Sequence, residues 1–128
     1  LGLGAGSVAK IEQVRAAGLK SLEILRTAGV RMAFGTDLLG ASHDLQSEEF
    51  LIRAQVQANL EVLQSATLIG AELLNQVGVI GEIAAGARAD LLLVDGNPLA
   101  DLACLTGQGQ RIPLVMQGGK LRVNELRA

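Results

Sequence analysis

The residue best placed to do chemistry is Asp37, which ends the run VRMAFGTD at residues 30–37. A short, mostly apolar run that breaks at Gly35 is typical of a β-strand leading into a loop. In parallel α/β folds, catalytic and ligand-binding groups gather at the carboxyl ends of the strands. A carboxylate there can bind a metal ion or act as a general base. An aspartate after a strand can also be a turn former or a helix cap, so both interpretations stay open.

His43 is the single histidine of the chain, and it lies in the polar loop that follows Asp37. An imidazole changes its charge near neutral pH, so it can handle a proton or contact a substrate. A lone histidine in a loop can equally be incidental. We therefore keep a substrate-binding role for His43 as a hypothesis beside that simpler explanation.

Two glycine patterns resemble phosphate-binding loops only in part. The sequence GQG at residues 107–109 lacks the following Gly-Lys-Ser/Thr, so we interpret it as a surface loop. The glycines at positions 2, 4 and 6 precede a predicted helix, whose N-terminus could hold a phosphate. No strand precedes them in this sequence, so a dinucleotide site is not favoured.

Asp90 and Asp95 flank an apolar run and could be mistaken for a catalytic carboxylate pair. A strand of that length would place them roughly 16 Å apart, whereas paired catalytic carboxylates lie ~5–10 Å apart. We therefore expect strand-end turns there. Cys104 is the only cysteine and cannot form an internal disulfide, so a small core residue is expected.

The first elements that must position these residues are helical. Apolar residues recur at helical spacing after Ser7, a plausible N-cap, and the helix should end at Gly29 as its C′ residue. Small residues on the helix predicted over residues 60–76 indicate that another element packs closely against it. The predicted order is a helix over residues 7–28, a strand over 30–34, a loop over 35–46, and helices over 47–57 and 60–76.

The period changes after Gly78, and strands replace helices. The run at 89–96 is apolar on both faces, which predicts a central strand. Gly118-Gly119 suits the type I′ turn of a hairpin. The predicted order is a strand over 79–83, a strand over 89–96, a helical turn over 99–105, a loop over 106–110, and hairpin strands over 112–117 and 120–124. We place a domain boundary between residues 1–78 and 79–128.

The composition excludes several classes of protein. Apolar residues make up 49% of the chain and there are 16 glycines, which is incompatible with a disordered chain. The net charge is −2 and aromatics are 2%, so nucleic-acid binding is not expected. The longest uncharged stretch is too short to span a membrane. The start does not read as a signal peptide and is expected to lie in mid-protein, and the single cysteine favours the cytoplasm.

Three segments together resemble the C-terminal part of the amidohydrolase superfamily. The nearest branch contains imidazolonepropionase-like enzymes and prolidase-type metallo-dipeptidases. The segments are AGVRMAFGTD at 28–37, the helix holding SAT at 65–67 and AELL at 71–74, and GEIAAGARADLLLVDGNPL at 81–99.

The resemblance implies an α/β fold: residues 1–78 would form the C-terminal part of a (β/α)₈ TIM-like barrel, and residues 79–128 strands of a small β-sandwich. Asp37 would match the aspartate that ends the last barrel strand. In the family that residue contacts the metal site, takes a proton from the hydrolytic water and gives it to the leaving amine. His43 would lie in the loop that lines the substrate pocket.

The sequence departs from the family in its metal ligands. The family's His-x-His pair, its bridging lysine and its two further histidines come from earlier strands, and a zinc site needs three or four protein ligands. A full barrel also needs about 250 residues. We therefore expect a fragment, inactive alone, of a metal-dependent hydrolase of C–N bonds. It would use zinc, act on a small or dipeptide-like substrate, and be homo-oligomeric when complete. The alternative is a non-catalytic α/β binding or oligomerisation module.

Overall fold

The computed structural model describes residues 5–126 of the chain, so Gly2 and Gly4 of the glycine pattern lie outside it. Helices occupy the first part and a small sheet the second. The α-helices are α1 (Ala5–Thr27), α2 (Glu49–Arg53), α3 (Asn59–Ala66) and α4 (Leu68–Leu73), the 3₁₀-helices are Gly40–Glu48, Leu102–Leu105 and Gly107–Gly109, and the strands are β1 (Leu91–Leu93), β2 (Leu114–Gln117) and β3 (Lys120–Asn124).

The end of α1 was predicted correctly. Gly29 has a φ of 71°, which a residue without a Cβ adopts freely. Its amide donates to the Arg26 carbonyl at 3.0 Å, and the Val30 amide donates to the Leu25 carbonyl at 3.0 Å. These two hydrogen bonds form a Schellman motif, so Gly29 is the C′ residue. The start differs, because α1 begins at Ala5 and Ser7 lies within its first turn.

The strand predicted over Val30–Phe34 is wrong. Residues 30–39 belong to no helix or strand. A strand is defined by hydrogen bonds to a neighbouring strand, and the strands of the described residues pair only with one another. The amide of Phe34 instead donates to the Ser65 carbonyl at 3.0 Å. An irregular segment, tied to α3, therefore leads to Asp37.

The middle helices are shorter than predicted. The 3₁₀-helix Gly40–Glu48 occupies the end of the expected loop and the start of the expected helix, and it continues directly into α2. The helix predicted over residues 60–76 is divided into α3 and α4, because Thr67 has non-helical angles of φ −123° and ψ −90°. A single continuous helix is therefore the wrong description of this part.

The strand predicted over residues 79–83 is also wrong. The amides of Val79 and Ile80 both donate to the Gln76 carbonyl, at 3.0 and 3.2 Å. These hydrogen bonds curl the chain back toward the end of α4, and Gly81 follows with a φ of 81°. The segment is therefore a turn rather than an extended strand.

The sheet has the order β1-β2-β3, with antiparallel neighbours. The hairpin between β2 and β3 was predicted correctly. Its two turn residues, Gly118 and Gly119, have φ values of 56° and 77°. Positive φ at both central positions is the requirement of a type I′ turn.

Strand β1 lies at the edge of this sheet, so the prediction of a central strand is wrong. Leu91 is paired with Met116 and Leu93 with Leu114, all on one side. Leu92 and Leu93 remain 56% and 49% exposed. An apolar run predicts a strand covered on both faces, but within residues 5–126 these two residues stay about half exposed.

The hydrophobic core lies where the two parts of the chain meet. Val62 of α3 packs with Leu102, Cys104 and Leu105. Cys104 is buried at 1% exposure, as predicted, and its thiol donates to the Asp101 carbonyl at 3.1 Å. Partly buried side chains complete this core: Phe34, Phe50, Ala54, Leu63 and Val94.

The described residues thus form a mixed helix and strand structure rather than a closed barrel. The domain boundary between residues 1–78 and 79–128 stays a prediction. No helix within residues 5–126 is long and apolar enough to cross a membrane.

Candidate active site around Asp37

Asp37 is solvent-exposed and has a φ of 50°. Such left-handed backbone angles are uncommon for residues other than glycine, but aspartate and asparagine adopt them more readily than most. Strained backbone of this kind is concentrated at functional sites. The structure therefore presents the Asp37 carboxylate to solvent on a sharply turned backbone.

The backbone just before Asp37 is held from two directions. The Phe34 amide donates to the Ser65 carbonyl, and Ser65 itself is fully buried. On the other side, Nη2 of Arg53 donates to the Ala33 carbonyl at 2.9 Å. The first hydrogen bond connects residue 34 to α3, and the second connects residue 33 to α2.

Aromatic packing adds to these ties. The rings of Phe34 and Phe50 lie 4.6 Å apart between centroids, tilted by 36°. Tilted aromatic pairs at this separation contribute about 0.5–1.5 kcal/mol beyond the area they bury. Phe34 also packs against the core, so the side chain that points inward anchors the segment whose end is exposed.

Arg53 is the functional candidate that the sequence analysis missed. It is only 6% exposed, and its Nε donates to Oε1 of Glu49 at 2.8 Å. Its guanidinium carbon lies 5.2 Å from the centroid of the Phe34 ring. The spacing of Glu49 and Arg53, four residues apart on a predicted helix, was the only signal of this pair in the sequence.

The start of the same segment is tied by an exposed ion pair. Nη2 of Arg31 lies 2.6 Å from Oε1 of Glu72 in α4. Their side chains are 63% and 38% exposed, so solvent screens this attraction. Two shallow grooves of about 340 and 220 Å³ are lined by Arg31, and neither is lined by Asp37 or His43.

His43 is exposed and lies in the 3₁₀-helix Gly40–Glu48. This helix contacts both α2 and the 3₁₀-helix Gly107–Gly109. Oε1 of Glu48 accepts a long hydrogen bond, 3.5 Å, from the amide of Gly107. The segment that follows Asp37 is therefore packed against α2 and the 3₁₀-helix Gly107–Gly109, while His43 itself is exposed.

The described residues do not fit a metal ion by themselves. Within residues 5–126 there is no group of three or more histidine, cysteine, aspartate or glutamate side chains close enough to hold one. Zinc sites use three or four protein ligands, so Asp37 could supply only one of them. Any metal bound at Asp37 would need ligands from outside this set.

Of the other acidic candidates, Asp90 makes a structural contact through its carboxylate. Oδ1 of Asp90 accepts a hydrogen bond of 2.6 Å from the amide of Gly118, which ties the hairpin turn to the start of β1. The amide of Asp95 donates to the Arg111 carbonyl at 2.8 Å. Residues 107–109 form a 3₁₀-helix of three residues. It does not open a longer helix, which agrees with the interpretation as a surface loop.

Comparison with known proteins identifies similar sequences and structures. The sequence profile of the amidohydrolase family matches residues 3–121. A crystal structure of an amidohydrolase is 55% identical, with a TM-score of 0.89 over 98% of this chain and 30% of that one. No curated protein matches the chain.

Two further structures carry more specific names. A prolidase complexed with N-methylphosphonate-L-proline is 50% identical, with a TM-score of 0.86 over 96% of this chain and 30% of that one. A Xaa-Pro dipeptidase with methionine bound in its active site is 30% identical, with a TM-score of 0.75 over 83% of this chain and 25% of that one. The chain thus spans 25–30% of the length of these structures.

Proposed function

The chain belongs to the amidohydrolase family, and from that membership we propose that it is part of a hydrolase of carbon–nitrogen bonds in which Asp37 transfers the proton. One observation carries the proposal. The Asp37 carboxylate is exposed on left-handed backbone, at the end of a segment that buried contacts hold in place. That combination is suited to presenting an acid–base group to a substrate.

The chemistry assigned to Asp37 is proton transfer during amide hydrolysis. Attack of water on the amide carbonyl releases a proton, and the departing amine must gain one before it can leave. An exposed carboxylate can accept the first proton and donate it to the amine nitrogen. Positioned acid–base groups of this kind typically contribute about 10²–10⁴-fold to the rate.

The similar structures support a class of substrate. A prolidase and a Xaa-Pro dipeptidase are among them, and the ligand of the prolidase is a phosphonate derivative of proline. We infer a small, dipeptide-like substrate or an N-acyl amino acid. His43, exposed in the loop after Asp37, is proposed to contact that substrate.

A divalent metal, with zinc as our proposal, would complete such a site. Asp37 would be one of its ligands, and a bound metal would activate water at neutral pH. Because residues 5–126 bring together no set of ligands, the remaining donors must come from other residues of the working enzyme. We also propose a cytoplasmic location and a homo-oligomer for that enzyme.

The test is Asp37→Asn in the complete enzyme that contains this chain, assayed on Xaa-Pro dipeptides. We expect kcat to fall by about 10²-fold or more with the fold retained, because asparagine also adopts left-handed angles but cannot accept the proton. Asp44→Asn is the matched control, since Asp44 is an exposed aspartate in the same loop. A kcat that Asp37→Asn leaves unchanged would favour a non-catalytic module, in which Asp37 only shapes the turn.

A further inference from the structure

Arg53 is a charged side chain in a place where charges are rarely found. It is 6% exposed, and arginine is seldom buried to this extent unless a partner compensates its charge. Glu49 is that partner, with 18% exposure of its side chain and a distance of 2.8 Å to Nε. The pair lies within α2 and needs no other part of the chain to explain it.

Two further contacts of the Arg53 guanidinium are directed at the segment that carries Asp37. Nη2 donates to the Ala33 carbonyl at 2.9 Å, and the guanidinium lies 5.2 Å from the centre of the Phe34 ring. A hydrogen bond from a cation is shorter and stronger than one between neutral groups. One planar group therefore holds both the backbone of residue 33 and the ring of residue 34.

Within the described residues, individual contacts hold this segment in position. Among the described residues no strand pairs with residues 30–39, so the usual ladder of backbone hydrogen bonds is replaced by single ties. Asp37 follows Ala33 by four residues. A displacement of about 1 Å at a reacting group can lower a rate by roughly 10²-fold.

We propose that Arg53 is a positioning residue, which fixes the Asp37 carboxylate by holding the Ala33 carbonyl and the Phe34 ring. The inference rests on the proposed function of Asp37. It assigns Arg53 no contact with substrate. It also explains the identity of the residue, because the guanidinium uses separate nitrogens for Glu49 and Ala33 while its flat face lies over Phe34. A lysine ammonium has one nitrogen and no flat face, so it cannot make the three contacts together.

The central experiment replaces Arg53 with lysine in the complete enzyme, which keeps the charge and most of the length. We expect kcat to fall by about 10–100-fold while KM changes by less than about threefold, because the proton-transfer group is displaced and substrate contacts are not. The matched control is Arg26→Lys, since the exposed Arg26 side chain donates its hydrogen bonds to Glu61 and not to residues 33 or 34. The control should leave both parameters unchanged.

A double-mutant cycle separates positioning from a general effect on the fold. If Arg53 acts through Asp37, adding Arg53→Lys to Asp37→Asn should not lower the residual turnover further. The same fold-decrease in both backgrounds would overturn the proposal, as would a wild-type kcat in Arg53→Lys alone. If Asp37→Asn itself left kcat unchanged, the proposed function of Asp37 would be wrong. That outcome is distinct from a failure of the positioning role, in which Asp37→Asn lowers kcat but Arg53→Lys does not.

A second variant keeps the test available if Arg53→Lys does not fold. Glu49→Gln retains the shape of the partner and removes its negative charge, so the guanidinium loses the charged partner that fixes its orientation. We expect a smaller decrease in kcat, of about 3–10-fold, again with KM little changed. A Glu49→Gln enzyme that folds and keeps the kcat of the wild type would contradict the positioning role.

Discussion

Gly81 lies directly against the carbonyl group of Thr67. A Cβ atom on Gly81 would be 2.6 Å from the Thr67 oxygen and 2.8 Å from its carbonyl carbon, closer than such atoms approach in real structures. The Thr67 carbonyl is itself fixed, because it accepts the amide of Ala71 at 2.9 Å. The turn after α4 is thus packed onto the point where α3 and α4 separate.

This contact predicts that Gly81→Ala is strongly destabilising. The new methyl group would collide with backbone that cannot move away, at about 1–3 kcal/mol, and alanine at a φ of 81° adds roughly 1–2 kcal/mol. Urea unfolding monitored by circular dichroism measures the change in the free energy of unfolding.

Gly86→Ala is the control for the collision. Gly86 has a φ of 91°, but an added Cβ would meet nothing within 4 Å. Gly86→Ala should therefore lose only the free energy that alanine costs at a positive φ. Equal losses in the two variants would contradict a close approach of Gly81 to Thr67.

The left-handed backbone of Asp37 predicts a difference between two substitutions that both remove the carboxylate. At a φ of 50°, alanine should be less stable than asparagine by roughly 1 kcal/mol, since asparagine adopts this conformation more readily. The measurement is the free energy of unfolding of Asp37→Ala and Asp37→Asn. The same two substitutions at Asp44, which lies in a 3₁₀-helix, should show no such preference. An Asp37→Ala protein as stable as Asp37→Asn would argue against the left-handed backbone.

Glu61 predicts a dependence of stability on pH. A hydrogen bond from Arg26, followed by one from the Ala58 amide, lowers the pKa of the Glu61 carboxyl below its ordinary value of 4.5. A pKa that is lower in the folded state adds stability above the unfolded pKa, and this stability is lost as the pH falls through the folded value. The side chain is 39% exposed, so solvent limits the ion pair to about 0.2–1 kcal/mol.

Glu61→Gln tests this coupling. At pH 7 we expect the variant to be less stable than the wild type, because glutamine keeps a cap on the Ala58 amide but loses the charge that attracts Arg26. At a pH below the folded pKa of Glu61 the wild-type carboxyl is protonated, and the two proteins should become similar. Chemical unfolding at both pH values measures the difference. A difference of the same size at both values would contradict the linkage.

The parts of the fold that were predicted from sequence depend on local information. The end of α1 needs only Gly29 in a left-handed conformation, and the hairpin needs only Gly118 and Gly119 in a tight turn. The burial of Cys104 follows from its small apolar side chain. The family was recognised correctly from short segments whose residues lie close together along the chain.

The two strands that were predicted wrongly are elements that need distant partners. A strand over residues 30–34 or 79–83 requires a neighbouring strand, and within residues 5–126 neither segment has one. The break at Thr67 lies against Gly81, fourteen residues later. Hydrophobic periodicity contains no information about such pairings.

The candidate site was predicted only as far as its exposed end. Asp37 was identified by its place after an apolar run and by resemblance to the family. The contacts of Arg53 with Ala33 and Phe34 span about twenty residues of sequence, and only its pairing with Glu49 follows a local rule. The candidate catalytic residue is therefore easier to predict from this sequence than the contacts that position it.

The proposed role of His43 gives the last prediction. If its exposed imidazole contacts the substrate, His43→Asn in the complete enzyme should raise KM with kcat changed by less than about twofold. The loss of one hydrogen bond, about 0.5–1.5 kcal/mol, corresponds to an increase in KM of roughly 2–12-fold. Gln46→Ala is the control, because Gln46 is exposed in the same 3₁₀-helix and has no assigned role. Steady-state kinetics with several Xaa-Pro dipeptides would measure both parameters. A His43→Asn enzyme with the wild-type KM for every substrate would show that the histidine is incidental, and the assignment of Asp37 would be unaffected.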